Sequence, residues 1–339
     1  MTHEFKNIVE EALLAKSQGI KSVLASVVAL DGSSYRKPGV RMLILENRKL
    51  VGAVSGGCVE KEILLQSETV FKTGEAKIMT YDGRYRLGCE GVLYILLEVF
   101  NPNKVFFSEF NQCLKERNSF ALLSYYVKKE GVISEIGSYV KINNETFSIS
   151  GTDFRNQNDK LSVFIQNMPP CFKLVLIGAE HDAVQLCKYA ALTGWGVTII
   201  AGVSESKSIS DFDGANDFYA TSVENIDTSL IDEQTAIVLM THNFANDLRY
   251  LVALNNTKPS YIGLLGPTKR REDLLSQFIE YCPEITDAFL ETIHGPAGLN
   301  IGSETPQEIA VSIISEILAF TRKKEPKSLS SIKGKIHSN

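Results

Sequence analysis

No C-x-x-C pair occurs among the six cysteines, Cys58, Cys89, Cys113, Cys171, Cys187 and Cys282. That argues against a zinc knuckle and against a thioredoxin-type redox site. No apolar run approaches the ~20 residues of a membrane span. The N-terminus has no basic segment ahead of an apolar one and carries Glu4, Glu10 and Glu11 instead, so a secretory leader is not expected. Excess positive charge is missing too. The 35 Lys and Arg stand against 40 Asp and Glu, a net charge of −5, the wrong sign for a general nucleic-acid surface. Two short basic clusters, at 269–271 and 322–324, read as a solvated helix face and a basic tail. Internal repeats and low-complexity blocks are lacking. These absences point to a cytoplasmic protein with reduced thiols, no disulfide staples, and neither membrane nor nucleic acid as partner.

What is present is an ordinary globular composition, 339 residues with 44% hydrophobic and 22% charged, enough for two domains with sizeable cores. Apolar residues at helical spacing predict a helix over 4–17, stopped at Gly19. Residues 22–30 read as a buried strand and 31–39 as a loop, since Asp-Gly, two serines and Pro-Gly are turn chemistry. Residues 40–45 and 49–54 read as a hairpin pair, followed by a helix to about residue 72. Strands over 76–81 and 92–100 flank a second glycine-bearing loop, 82–91. The segment 103–165 reads as a helix and then a mostly β extension of the first domain. Pro169 and Pro170 mark a linker over 166–172. Beyond it, strands at 173–178, 196–202, 217–220, 235–240 and 261–265 alternate with helices, the pattern of a doubly wound parallel sheet. Thr305, Pro306 and Glu308 are a complete start signal for the last helix. The expected domains are 1–166 and 167–325, with a polar tail over 326–339.

The chemistry gathers at three glycine-bearing segments. In VGAVSGGCVE, residues 51–60, Ser55, Gly56, Gly57 and Cys58 stand between a strand and a helix. A thiol at a helix N-terminus meets unpaired N–H groups and the helix dipole, which favour a thiolate and attract anions. On that stretch alone the plainer reading is a tight turn with a small buried cysteine. Gly32, Ser33, Ser34, Arg36 and Lys37 form a second segment, whose hydroxyls and cations beside glycines suit a phosphate or another multi-oxygen anion. Cys89 lies in the third, and a soft thiolate suits molybdenum, copper, zinc or iron. In the second half, Gly178-Ala179-Glu180-His181-Asp182-Ala183 follows a strand and opens a helix, as G-x-G-x-x-G/A requires, except that Glu180 replaces the middle glycine. A carboxylate there opposes a pyrophosphate, and neither Ala201 nor Gly202 supplies an acid for a ribose. NAD(P) is therefore carried only as an alternative. His242 and His294 are the histidines expected to face a polar cleft at the strand ends.

The runs G-S-S-Y-R-K-P-G at 32–39, S-G-G-C-V-E at 55–60 and L-G-C-E-G at 87–91 resemble the first domain of the XdhC/CoxI family. I-G-L-L-G at 262–266, K-R-R at 269–271 and H-G-P-A-G-L-N-I-G-S-E-T-P-Q-E-I-A at 294–310 resemble that family's Rossmann-like domain. The sequence departs from the family's motifs at Glu90 and Glu180. The resemblance implies an N-terminal α+β domain followed by a Rossmann-like doubly wound parallel-sheet domain. It implies an accessory protein that binds the molybdenum cofactor (molybdopterin), protects it, assists its sulfuration and delivers it to a molybdenum hydroxylase such as xanthine dehydrogenase. Such a protein acts as a chaperone more than as a turnover enzyme. Its partners would be the apo molybdenum hydroxylase and a cysteine desulfurase, with a homodimer as the expected assembly. Gly32, Ser33, Ser34, Arg36, Ser55, Gly56, Gly57, Cys58, Cys89 and His294 are the cofactor-binding candidates, and Cys58 and Cys89 the candidate metal ligands. Two alternatives stand beside it: an NAD(P)-dependent oxidoreductase using the second domain, and a non-catalytic scaffold with both cysteines in the core.

Overall fold

Hydrophobic alternation along the strands decides how the first half is layered. The structure is a computed structural model that describes residues 1–32, 37–55, 57–83, 91–133, 135–151, 160–229 and 231–331, and of Cys58 the backbone alone. The chain divides into two units, Met1–Pro170 and Cys171–Asn339. No helix among the described residues is long and apolar enough to cross a membrane.

The first unit runs α1 (Thr2–Ser17), β1 (Ser22–Gly32), β2 (Arg41–Leu45), β3 (Leu50–Gly52), α2 (Cys58–Thr73), β4 (Lys77–Asp82), β5 (Gly91–Val99) and α3 (Lys104–Lys115). It continues through β6 (Phe120–Tyr126), β7 (Gly131–Val132), β8 (Gly137–Ile142), β9 (Glu145–Ser148) and β10 (Ser162–Met168). Antiparallel pairing builds a six-stranded sheet, β3-β2-β1-β5-β4-β7, and a four-stranded sheet, β10-β6-β8-β9. Val23, Ala25, Val27, Met42 and Ile44 share one face of the larger sheet and pack with Val59, Ile63 and Val70 of α2. Leu24, Leu43 and Leu45, one residue out of phase, face the other way and meet α1, α3 and the smaller sheet, as a period of two requires. From α1, Phe5, Ile8, Val9 and Ala12 enter that second core. Phe5 stands edge-on to Phe110 at 5.8 Å. The smaller sheet is the β extension expected for the middle segment. One expectation changes: β10 runs on to Met168, because residues 162–168 pair in register with β6, so the first three residues of the expected linker, 166–168, belong to the strand.

The second unit runs β11 (Lys173–Ile177), α4 (His181–Leu192), β12 (Gly196–Ala201), β13 (Asp217–Ala220), β14 (Thr235–Leu239), α5 (Phe244–Leu254) and β15 (Tyr261–Leu264). It ends with α6 (Thr268–Tyr281), α7 (Asp287–Leu290), β16 (Ile293–His294) and α8 (Pro306–Thr321). All pairs are parallel, in the order β13-β12-β11-β14-β15-β16. This is the doubly wound order in which the third, second and first strands precede the fourth, fifth and sixth. Leu174 and Leu176 pack toward α4 and α8, and Val175 and Ile177 toward α5 and α6. The start of α8 is as read: Thr305 Oγ1 accepts from the Glu308 N–H and the Glu308 carboxylate accepts from the Thr305 N–H at 2.9 Å.

One polar group lies between the two sheets of the first unit. Arg41, 7% exposed, donates through Nη1 to the Gly39 carbonyl at 2.9 Å and to Gln166 Oε1 on β10. Its guanidinium also lies 6.0 Å from the Phe5 ring. Glu98 of β5, 1% exposed, accepts from the Ser138 N–H of β8 at 2.7 Å. Among the described residues Ser26 Oγ, Arg41 Nε and Nη2 and Glu98 Oε1 have no hydrogen-bond partner. Burial pushes the Glu98 carboxyl up to about 7, against the opposing pull of the Ser138 hydrogen bonds and of Arg41. Burial likewise lowers Arg41 to about 10, with Glu98 resisting.

The sign of the resulting pH dependence follows. Between the ordinary value of 4.5 and about 7, the folded chain holds a proton that the unfolded chain has released, so this group's contribution to stability falls as pH rises. Glu98→Gln removes that slope. Urea unfolding should show wild type losing about 1–3 kcal/mol relative to Glu98→Gln between about pH 5 and about pH 8. A difference that stays constant over that window would show that Glu98 does not titrate in it.

Candidate functional site

The three motif segments share a root. In an antiparallel sheet the end of one strand lies beside the start of its neighbour. Ser26 pairs with Arg41 and Met42 with Gly52, so the start of β2 and the end of β3 lie toward the end of β1. At that same end Gly32 pairs with Gly91, and Asp82 with Val92. The segments 33–40, 53–57 and 83–90 therefore all leave the larger sheet from one end. Of the candidate residues, Gly32 closes β1, Ser55 and Gly57 precede α2, and Cys58 opens α2. Ser33, Ser34, Arg36, Gly56 and Cys89 lie outside the described residues, as does Glu90.

The turn before α2 is built on a carboxylate. Glu60 accepts from the N–H groups of Val54 at 3.1 Å, of Ser55, and of Gly57 at 2.9 Å, and from the Ser55 hydroxyl at 2.6 Å. Ser55 Oγ in turn accepts from the Val59 N–H at 3.3 Å. Gly57 has a φ of +121°, and among the described residues a Cβ there would meet nothing within 4 Å. Only glycine adopts that backbone without strain. Burial works to raise the Glu60 pKa, but the Ser55 hydroxyl and the N–H groups of Ser55, Glu60 and Gly57 together hold it below the ordinary value. This corrects one expectation. The N–H groups expected to seat an external anion already hold the chain's own anion, because Glu60 at the third helical position reaches back to them. Three other thiols are core residues: Cys113, Cys187 and Cys282 are buried. Burial pushes the Cys187 thiol up to about 11, with Asp213 adding to it, so it is not a reactive thiolate.

In the second unit the fingerprint's first glycine has a physical reason. Gly178 has a φ of +128°, and a Cβ would stand 2.3 Å from the Met240 carbonyl oxygen. Glu180 is the N-cap of α4 and makes no capping bond. Polar residues at other strand ends serve one another. Asp247, nearly buried, accepts from the Thr241 hydroxyl at 2.6 Å and pairs with Arg270 at 2.7 Å. The basic cluster at 269–271 is thus not simply a solvated face. His294 at the end of β16 stacks on Tyr261 at 4.6 Å and meets Phe320 edge-on at 4.3 Å. Its Nδ1 is 4.0 Å from Glu316, whose other oxygen accepts from the Tyr261 hydroxyl and from the Gly298 N–H at 2.8 Å. Burial lowers the His294 pKa, aided by Arg271 and opposed by Glu316. Sequence reading missed Glu60, Arg41 and Glu98; the S-x-x-x-x-E spacing from Ser55 was the available signal for the first.

Comparison with known proteins agrees with this architecture. Residues 15–82 match the description of the XdhC and CoxI family, and residues 174–317 that of the XdhC Rossmann domain. A Bacillus subtilis (strain 168) protein, named as a probable xanthine dehydrogenase subunit, is 27% identical over 333 residues, covering 93% of this chain and 96% of its own length. The molybdenum cofactor insertion chaperone PaoD of Escherichia coli (strain K12) is 23% identical over 335 residues, covering 97% of this chain and 92% of its own. The crystal structure of a xanthine dehydrogenase from Bacillus halodurans superposes with a TM-score of 0.77 at 21% identity, over 96% of this chain and 98% of that one. That likeness establishes the shared fold.

The Glu60 arrangement makes a prediction. Glu60→Gln keeps the size but removes the charge that four donors share, and should cost about 1–3 kcal/mol at neutral pH. Because the folded pKa is depressed, the stabilisation is complete above the ordinary value of 4.5 and is lost as pH falls through the lower folded value. Chemical unfolding of both proteins at neutral and acid pH checks this: the gap should close in acid. A variant as stable as wild type at neutral pH would refute the role given to the carboxylate.

Proposed function

The chain belongs to the XdhC and CoxI family, and from that membership we propose that it binds the molybdenum cofactor as cargo during maturation of a molybdenum hydroxylase. It protects the cofactor, keeps it available for sulfuration by a cysteine desulfurase, and delivers it to an apoenzyme such as xanthine dehydrogenase. It works as a cytoplasmic chaperone without turnover, as a homodimer. Two relatives support the coarse role: one is named for molybdenum cofactor insertion and the other for xanthine dehydrogenase.

The observation that carries the reading is the common root of the three motif segments at one end of the larger sheet. Cys58 and Cys89 are soft sulfur donors suited to molybdenum. Ser33, Ser34 and Arg36 suit a phosphate-bearing pterin, since hydroxyls and a guanidinium are strong donors to phosphate oxygens. Ser55 and Gly57 shape the turn beside Cys58, with Gly56 a candidate by the resemblance, and among the described residues nothing stands within 4 Å of the place a Cβ would take at Gly57. Glu60 holds that turn in place before any cargo arrives, which lowers the ordering cost of binding. Gly32 anchors the second segment. His294, half-buried at the end of β16 in the second unit, stands as a further cofactor-binding candidate.

Purification under anaerobic conditions from a molybdenum-replete host tests this reading. Elemental analysis and pterin fluorescence should find molybdenum and pterin bound to the wild type. Cys58→Ala and Cys89→Ala should each reduce the bound molybdenum several-fold. Wild type free of cofactor, or equal loading in both variants, would sink the proposal.

A further inference from the structure

The second unit carries a separate cleft, and we propose that it binds a ribonucleoside, with Glu205 taking the ribose diol and Glu180 barring phosphate. The proposal does not depend on the cargo of the first unit.

The cleft lies where the sheet order reverses, between β11 and β14, the place at which doubly wound sheets bind ligands. Its volume is about 280 Å³, and Glu180, Gly202, Glu205, Thr221, Thr241 and Asn246 line it. That is small against the roughly 300–1,000 Å³ of drug-sized ligand sites. One base with its sugar is the scale that fits, and a dinucleotide is not. The walls offer hydroxyl and amide groups, which suit hydroxyls and base edges.

Glu205 is the acid that the sequence lacked at the end of β12. The turn from Gly202 brings it back, the Glu205 N–H donating to the Gly202 carbonyl at 2.9 Å. Backbone N–H groups of Lys207 and Ser206 meet Oε1 at 3.0 and 2.9 Å, and Lys207 Nζ stands 3.9 Å from the same oxygen. The Lys207 N–H contributes most to holding this group as a carboxylate. Among the described residues nothing meets Oε2, which is left to accept from a diol. This matches the role of the acid that follows the second strand in ribose-binding sheets of this type.

Glu180 supplies the exclusion. A helix N-terminus attracts phosphate through its free N–H groups and dipole. Here the N-cap of α4 is itself a carboxylate that makes no capping bond, whereas the charge of Glu205 is offset by Lys207 Nζ at 3.9 Å. The guanidinium of Arg249, also at the cleft, is engaged by Glu224. The Glu180 carboxylate at the helix end therefore opposes a phosphate there and leaves an uncharged nucleoside unaffected.

Titration calorimetry of the full chain with adenosine, guanosine, cytidine and uridine tests both halves. Each is run beside its 2′-deoxy form and its 5′-diphosphate. At least one ribonucleoside should bind. Its 2′-deoxy form and the Glu205→Gln variant should each weaken binding tenfold or more, the first arm holding even if the variant fails to fold. The 5′-diphosphate should bind at least tenfold more weakly than the nucleoside, and Glu180→Gly should remove most of that penalty. Absence of binding by all four nucleosides, indifference to the 2′-hydroxyl, or a wild-type preference for the diphosphate would each overturn the proposal.

Discussion

A guanidinium buried between two sheets is the constraint on which the first unit is organised. Arg41 cannot shed its charge at any ordinary pH, so the chain must bring acceptors to it. It brings the Gly39 carbonyl from the end of the serine-rich segment and Gln166 from the last strand of the smaller sheet. Those two bonds fix one root of a motif segment to the packing of the two sheets. Glu98, which burial keeps protonated up to about pH 7, lies in the same layer, and its bond to the Ser138 N–H joins the sheets a second time. Removing one partner of such a set leaves a buried charge uncompensated, which costs more than the pair contributes. The arrangement is therefore better understood as setting register and segment position than as a source of stability.

Each unit also places a glutamate at the start of a helix, and the two do opposite things. Glu60 at the third position of α2 folds back into the N–H groups of its own turn. It neutralises the helix end and leaves a rigid, self-satisfied turn beside Cys58. Glu180 at the cap of α4 makes no such bond, so its charge is presented to the cleft. The difference comes from position. A side chain at the third helical position reaches the preceding turn, while one at the cap points along the approach to the helix end. Both devices work against loose anion binding at a helix terminus, the first by occupying the donors and the second by repulsion.

Much of the fold was legible because its signals are local. The alternating strands and helices after the proline pair, the Thr305–Pro306–Glu308 start of α8 and the apolar stripe of α1 each declare themselves within a few residues, and the doubly wound sheet followed from them. What was hidden depends on register or on very short elements. The strand β16 has two residues, too few to show a period. The extension of β10 into the expected linker is visible only through its pairing with β6. Arg41 and Glu98 sit on strands whose other residues on that face are apolar, so the pattern read as continuous core. The cluster at 269–271 read as solvent-facing because Asp247, its partner, is distant in sequence. At the candidate site, residue types and glycine spacing were legible; the convergence of their roots was not, because it is a property of strand pairing.

That convergence is also why residue chemistry alone was a weak guide to Cys58. A thiol after two glycines is ambiguous between a ligand and a small core residue. The sheet adds where the segments begin and end, without any statement about the side chain. Antiparallel strand order brings the segments bearing Cys89 and Ser33 out at the same end of the same sheet. Gly32 pairing with Gly91 makes that shared exit a matter of backbone hydrogen bonding, which tolerates no slip of one residue without turning each strand's buried face outward. Separately, Glu60 spends a buried charge on holding the Ser55–Gly57 turn, although a serine or aspartate cap would stop the chain there equally well. A turn fixed by four donors on one carboxylate is built to hold a shape. A turn held in advance in this way supports the binding role proposed for it, because a preorganised site has less order left to impose on binding.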